Sequence, residues 1–296
     1  MSLRPSASIL WALGAILLWG TLAAAIGDAL EGVPPNVLVL AAFVFAAPVL
    51  VAVDLARGRS LRAIFGAPPP VWALGLVGIF GYHVLLFQAL ARAPLIEANL
   101  LNDLWPLLMV ALAWPLAGER PTRRLVAGAV LGAVGAALVV TQGKAPALSR
   151  EHATGYGLAL AAAVTWAVFS VLLRRLGPAG ENRMALFAVI AVAASVALTA
   201  ATGELGLPRG RALAASAWLG AGPMGIAVLF WSKALATGSA ARIGVLSNLT
   251  PLLATLAVCL HLGKPVTPWT GVGLVLIVTG ATLPSLGGPK PGLTSS

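Results

Sequence analysis

Residues 89–138 of this 296-residue chain recur at an offset of 145 as residues 234–283, and both copies lie within strongly apolar stretches. At that offset Ala89, Leu90 and Ala91 meet Ala234, Leu235 and Ala236, while Leu104, Pro106, Leu107 and Leu108 meet Leu249, Pro251, Leu252 and Leu253. Gly118, Thr122, Gly128 and Gly135 meet Gly263, Thr267, Gly273 and Gly280. The repeat restricts the fold to two related halves, 1–146 and 147–296. In a membrane chain, paired halves are the commonest sequence mark of a secondary transporter, whose site lies where the halves meet.

That the solvent is lipid follows from composition. The chain is 59% hydrophobic and 9% charged, where soluble domains carry roughly a quarter charged residues. Its uncharged runs approach the ~20 residues that cross a bilayer. The formal charge of +10 sits in short loops, so it reads as a topology signal, and nucleic acid is not expected as a partner. The single cysteine, Cys259, excludes an intrachain disulfide and a Cys/His metal cluster, and no metal or cofactor is expected. Arg in excess of Lys, with abundant Ala and Gly, fits a GC-rich bacterium, and hence a bacterial inner membrane. The run from Ile9 to Gly27, ending in Ala23-Ala24-Ala25, imitates a signal peptide. Arg4 is a thin positive region for one, and Trp19 has a counterpart in Trp166, so the run is read as a retained helix.

Breaks at Pro34-Pro35, Arg57-Gly58-Arg59, Pro68-Pro69-Pro70, Arg174-Arg175 and Gly177-Pro178 divide the chain, because proline stops helices and arginine leaves hydrocarbon. Ten spans result, at about 8–27, 36–54, 71–91, 95–117, 124–142, 155–176, 184–203, 212–233, 240–262 and 268–285. With both termini cytoplasmic, Arg57, Arg59, Arg62, Arg120, Arg123, Arg124, Arg174, Arg175 and Arg183 fall inside, and Asp28, Glu31 and Glu204 outside. Five crossings per half is an odd number, so the second half is inverted. The loop around Gly118, Glu119 and Arg120 is then inside, and its counterpart around Gly263, Lys264 and Pro265, which lacks the arginines, is outside.

Trp11, Trp72, Trp114, Trp218 and Trp269 fall near span ends, where indoles favour headgroups. Trp19, Trp105 and Trp166 fall near mid-membrane, with Trp231 somewhat deeper toward the cytoplasm. Each could face lipid or fill a packing gap. As a set they suggest a central cavity with facing aromatic walls. Tyr82 and His83, in a run with Gly78, Gly81 and Gln88, reach the midplane of the third span, as interhelical hydrogen-bonding groups or as a polar cavity wall. The fourth span holds Glu97, Asn99, Asn102 and Asp103 ahead of Pro106, which deprives the Asn102 carbonyl of its helical donor. Ser247, Asn248 and Pro251 repeat the device, and matched kinks in two halves are the best pointer to a transport site. Glu97 is read as a solvated end residue. Asp103 is the only carboxylate expected deep in the membrane, either a structural partner or, like His83, a coupling group. Gly128-Ala129-Val130-Leu131-Gly132 and Gly271, Gly273 and Gly280 read as close-packing scaffold.

Two halves each carrying proline, then Gly followed by Glu or Lys, then two further glycines, resemble the drug/metabolite transporter superfamily in its EamA-type ten-helix branch. The motifs are Pro106, Gly118, Glu119, Gly128 and Gly135, then Pro251, Gly263, Gly273 and Gly280; Lys264 departs from the acidic residue common there. Within the branch the chain looks like an aromatic amino-acid exporter. The resemblance implies spans 1–4 and 6–9 around a central cavity, spans 5 and 10 outside, and export by alternating access.

The expected substrate is therefore a small amphiphile such as an amino acid. Trp19, Tyr82, His83, Trp105 and Trp166 would stack on its side chain, and Asn102, Asp103, Ser247 and Asn248 would meet its polar end. Without buried Arg or Lys, a phosphate is not expected. Membrane lipid and the substrate are the expected partners of a chain that can act as a monomer. Multidrug efflux is the alternative, with Asp103 facing a cation. An intramembrane enzyme would need a nucleophile–base pair or metal ligands at matched depth. The sequence has no HExxH or GxSG motif, and His83, His152 and His261 lie at different depths. A non-catalytic assembly subunit fits poorly with polar kinks in both halves.

Overall fold

The computed structural model describes residues 7–22, 33–204, 206–262 and 265–285. Asp28, Glu31, Gly263, Lys264, the Ala23-Ala24-Ala25 stretch and both termini lie outside them, as does the side chain of His261. The described residues form helices and no strand. Among the described residues eight helices are long and apolar enough to cross a membrane. They are α2 (Pro35–Ala56), α3 (Pro69–Leu90), α4 (Leu95–Ala117), α5 (Arg123–Thr141), α6 (Arg150–Leu176), α7 (Met184–Ala201), α8 (Gly210–Thr237) and α9 (Ala240–Ala257). Shorter apolar helices flank them, α1 (Ala7–Gly20) and α10 (Pro268–Thr282). The chain is thus an all-helical, multi-pass membrane protein.

Helix ends follow local chemistry. Prolines open α2, α3 and α10 at their first turn, where a missing N–H costs no hydrogen bond. The Thr122 and Ser239 side chains accept from Leu125 N (3.2 Å) and Arg242 N (3.3 Å), capping α5 and α9. Gly118, in the left-handed region at φ 72°, closes α4.

Lipid tails are as apolar as leucine, so helix association here rests on close packing rather than on expulsion of water. The α5–α10 pair shows it. Gly128 lies against the Gly280 carbonyl and Gly135 against the Gly273 carbonyl, and that order makes the two helices antiparallel. Elsewhere α6 packs on α3 and α4, α1 on α8 and α9, α7 on α2 and α3, and α8 on α2.

The connecting segments gather at two ends. At one, Asp54 accepts from Arg59 (2.9 Å), Arg59 also reaches the Asn182 carbonyl (2.6 Å), and Arg57 pairs with Glu181 (3.3 Å). Glu119 pairs with Arg174 (3.3 Å) and accepts from the Ser239 hydroxyl (2.8 Å). At the opposite end Asn36 donates to Glu204 (2.9 Å) and accepts from Gln88 (2.7 Å), Arg92 donates to Gln88, and Glu97 accepts from Ala147 N (3.3 Å). The first end carries most of the arginines.

Candidate functional site

Two helices are interrupted in the membrane, both just ahead of a proline. In α4, Leu95–Asn102 ends at a turn through Asp103 and Leu104 before Trp105–Ala117 resumes with Pro106 in its first turn. In α9, Ala240–Leu246 gives way at Ser247 and Asn248 before the helix resumes at Leu249. A proline ring displaces the carbonyl four residues earlier, which is Asn102 in α4 and Ser247 in α9. The Ser247 carbonyl finds a substitute donor in Thr250 N (2.9 Å).

A second pair of irregularities has no counterpart in the sequence reading. Both α3 and α8 contain a π-helical turn, Leu76–Gly81 and Gly222–Ile226, again about 145 positions apart. Such turns leave carbonyls off the regular ladder and often mark functional positions. Here an aromatic ring serves a carbonyl in each. Nδ1 of His83 lies 2.7 Å from the Ile79 carbonyl; a carbonyl only accepts, so Nδ1 carries a proton and donates it. The Trp19 indole N–H donates to the Pro223 carbonyl at 3.1 Å.

These helices bring one aromatic cluster together. Trp19 lies 5.7 Å from Trp166, 6.3 Å from Trp105 and 5.1 Å from Trp231, between ring centroids. Trp105 lies 6.4 Å from Trp166 and 5.5 Å from Trp231. Tyr82 leans on Trp166 (4.6 Å) and on His83 (4.9 Å), and Phe43 meets His83 edge-on (5.1 Å). Most ring pairs are T-shaped or tilted, the arrangements that aromatic quadrupoles favour. All five aromatic side chains singled out by sequence, Trp19, Tyr82, His83, Trp105 and Trp166, are therefore in one place. At these separations neighbouring rings are in contact, with Trp19 and Trp105 of one half against Trp166 and Trp231 of the other.

Trp231, which sequence depth set apart toward the cytoplasm, is a full member of the cluster. It is completely buried, and its N–H donates to the Ser170 hydroxyl (3.1 Å).

The polar residues divide. Tyr82 faces the Asn102 side chain and the Asp103 carboxylate, so the break in α4 borders the aromatic cluster. Asn102 is buried, and among the described residues its side-chain oxygen has no hydrogen-bond partner. Among the described residues Asp103 forms no salt bridge, and His83 is committed to Ile79 rather than to Asp103. Ser247 and Asn248 are placed otherwise. The Ser247 hydroxyl turns back to the Gly244 carbonyl (2.6 Å). The Asn248 amide donates to the Val245 carbonyl (3.0 Å) and lies against Gly132 of α5. Both are buried at the break in α9, and among the described residues the Asn248 side-chain oxygen, like that of Asn102, has no hydrogen-bond partner. No group of three metal-ligating side chains occurs among the described residues.

Comparison with known proteins gives consistent results. The profile of the EamA-like transporter family matches residues 6–141 and again residues 153–286. The chain is 37% identical over 274 residues, 92% of its length and 94% of the relative's, to the aromatic amino acid exporter YddG of Ancylobacter novellus. It is 26% identical over 214 residues, 70% of each chain, to the uncharacterized transporter YyaM of Bacillus subtilis. A crystal structure of a chain 36% identical superposes with a TM-score of 0.86, covering 96% of this chain and 98% of the other.

Proposed function

This chain belongs to the EamA-like transporter family, and from that premise we propose that it exports aromatic and other neutral amino acids across a bacterial inner membrane by alternating access. The observation that carries the proposal is the aromatic cluster, to which one half contributes Trp19, Tyr82, His83 and Trp105 and the other Trp166 and Trp231. An aromatic or branched side chain enters as these rings separate and stacks on them in their place. The zwitterionic end meets the break in α4, where the Asn102 oxygen, without a partner among the described residues, accepts from the ammonium group and Asp103 supplies a negative charge. The amino acid named for the relative of 37% identity agrees with that chemistry.

Ten crossings in two inverted halves, with the termini and the arginine-rich end in the cytoplasm, form the proposed topology. Its support is pairwise. Repeat-equivalent α5 and α10 run antiparallel through Gly128–Gly280 and Gly135–Gly273 contacts. Further, α1 packs on α8 as α6 packs on α3, and α8 on α2 as α3 on α7.

The test is flux of labelled Phe or Thr into or out of proteoliposomes, with and without a pH gradient, repeated with Trp105→Ala and His83→Ala. Flux of neither amino acid in a folded preparation would refute the proposal. Asp103, which forms no salt bridge among the described residues, also suits a lipophilic cation. Efflux of cationic dyes with no amino-acid flux would select that second reading.

A further inference from the structure

The arginine-rich end contains a cavity of about 740 Å³ bordered by Arg120, Arg123, Arg124, Arg174 and Arg242, with Glu119 as the acidic member. Glu119 is engaged: it pairs with Arg174 at 3.3 Å and accepts from Ser239 at 2.8 Å. Among the described residues that line it, one carboxylate stands with five arginines, so basic side chains predominate. All the cations are arginines, whose planar fork matches two phosphate oxygens at once. The aromatic cluster has no part in it.

Its position identifies the source of the phosphate. Leu125 and Pro284, at the ends of α5 and α10, are part of its wall. The outer faces of those two helices are apolar and exposed, as at Val126, Val130, Val275 and Val278, and are the faces presented to acyl chains. The Arg120 guanidinium lies 5.4 Å over the ring of Trp114, an exposed indole of the kind that settles among headgroups. The cavity thus stands at headgroup depth and borders hydrocarbon. Basic pockets between helices at that depth bind lipid phosphates.

We propose that this cavity holds the phosphate headgroup of an anionic lipid, with its acyl chains lying along α5 and α10. The lipid joins the α4–α5 loop, the C-terminal end of α6 and the start of α9, and so ties the two halves together at this end.

The test titrates wild-type protein in mild detergent with phosphatidylglycerol, phosphatidylcholine and inorganic phosphate, reading bound lipid by native mass spectrometry and unfolding by heating. Phosphatidylglycerol should bind saturably and raise Tm where phosphatidylcholine does not. Arg123→Gln with Arg242→Gln should weaken its binding about tenfold, and Arg62→Gln with Arg175→Gln, on the same end outside the cavity, should not. Equal loss in both pairs would reduce the effect to diffuse surface charge, and equal stabilisation by millimolar inorganic phosphate would assign the site to a free anion; either overturns the proposal. If the cavity variant does not fold, a photoactivatable phosphatidylglycerol on wild-type protein decides: crosslinks within 119–125 or 237–242 support the site, and crosslinks elsewhere overturn it.

Discussion

The indole N–H of Trp19 donates to the carbonyl of Pro223, 3.1 Å away in the π-helical turn of the other half. Repeat equivalence and geometry meet at this bond. Trp19 and its counterpart Trp166 touch each other at 5.7 Å, and His83 serves the equivalent π turn through Ile79. Each half therefore anchors an aromatic ring on a carbonyl of its π-helical turn.

Trp19→Phe isolates the bond, since it keeps an aromatic ring and removes the donor. The Pro223 carbonyl then lacks its partner, at a cost of about 0.6–1.5 kcal/mol, or roughly 2–5 °C in Tm. Thermal unfolding in detergent measures it. An unchanged Tm would show that the bond carries no stability.

Gly78 of α3 lies directly against the Phe169 side chain of α6. A Cβ there would sit 2.7 Å from Cγ and 2.8 Å from Cβ of Phe169, inside contact distance. Gly78→Ala should cost about 1–3 kcal/mol by overpacking, and adding Phe169→Leu should restore part of it. The coupling in that double-mutant cycle is the quantity to measure. Additive losses would place the strain elsewhere.

How far the sequence carries can be argued from three residues. Trp166 was legible because it is the repeat counterpart of Trp19 and both fall at mid-membrane. Trp231 was set apart because depth was counted along a regular helix. The π turn at Gly222–Ile226 inserts about one extra residue ahead of it, which turns the following residues by about 100° relative to the preceding ones. Its sequence signal was Gly222-Pro223 inside an apolar run, as Gly78 and Gly81 were in α3. Asn248 shows the converse. Spacing from Pro251 located the break, but which face an interrupted helix presents depends on its packing partners, here Gly132 of α5.

The two asparagines should consequently separate in function. Asn248→Ala removes the bond to Val245 and the contact with Gly132, lowering stability by about 1 kcal/mol or more with KM for Phe nearly unchanged. Asn102→Ala removes the side chain that Tyr82 faces at the break in α4, so KM should rise several-fold. Flux kinetics beside thermal unfolding compare the pair. A larger KM effect at Asn248 would place it at the site.

Asp103 separates coupling from binding. It sits beside Tyr82 at the break in α4, and among the described residues no Arg, Lys or His forms a salt bridge with it. An unpaired carboxylate at that depth is costly to keep unless function requires it. Asp103→Asn preserves shape and removes the titratable proton, so it should leave Tm unchanged or higher by a few degrees. Two transport readings then distinguish its roles. If Asp103 carries the coupled proton, accumulation driven by a pH gradient disappears while exchange of labelled for unlabelled Phe continues, because exchange needs no net proton movement. If the carboxylate serves only the substrate ammonium, exchange and driven transport fall together, through a higher KM. Retention of both in the Asn variant would remove Asp103 from the transport path and leave the cluster's aromatic rings as the whole of the site.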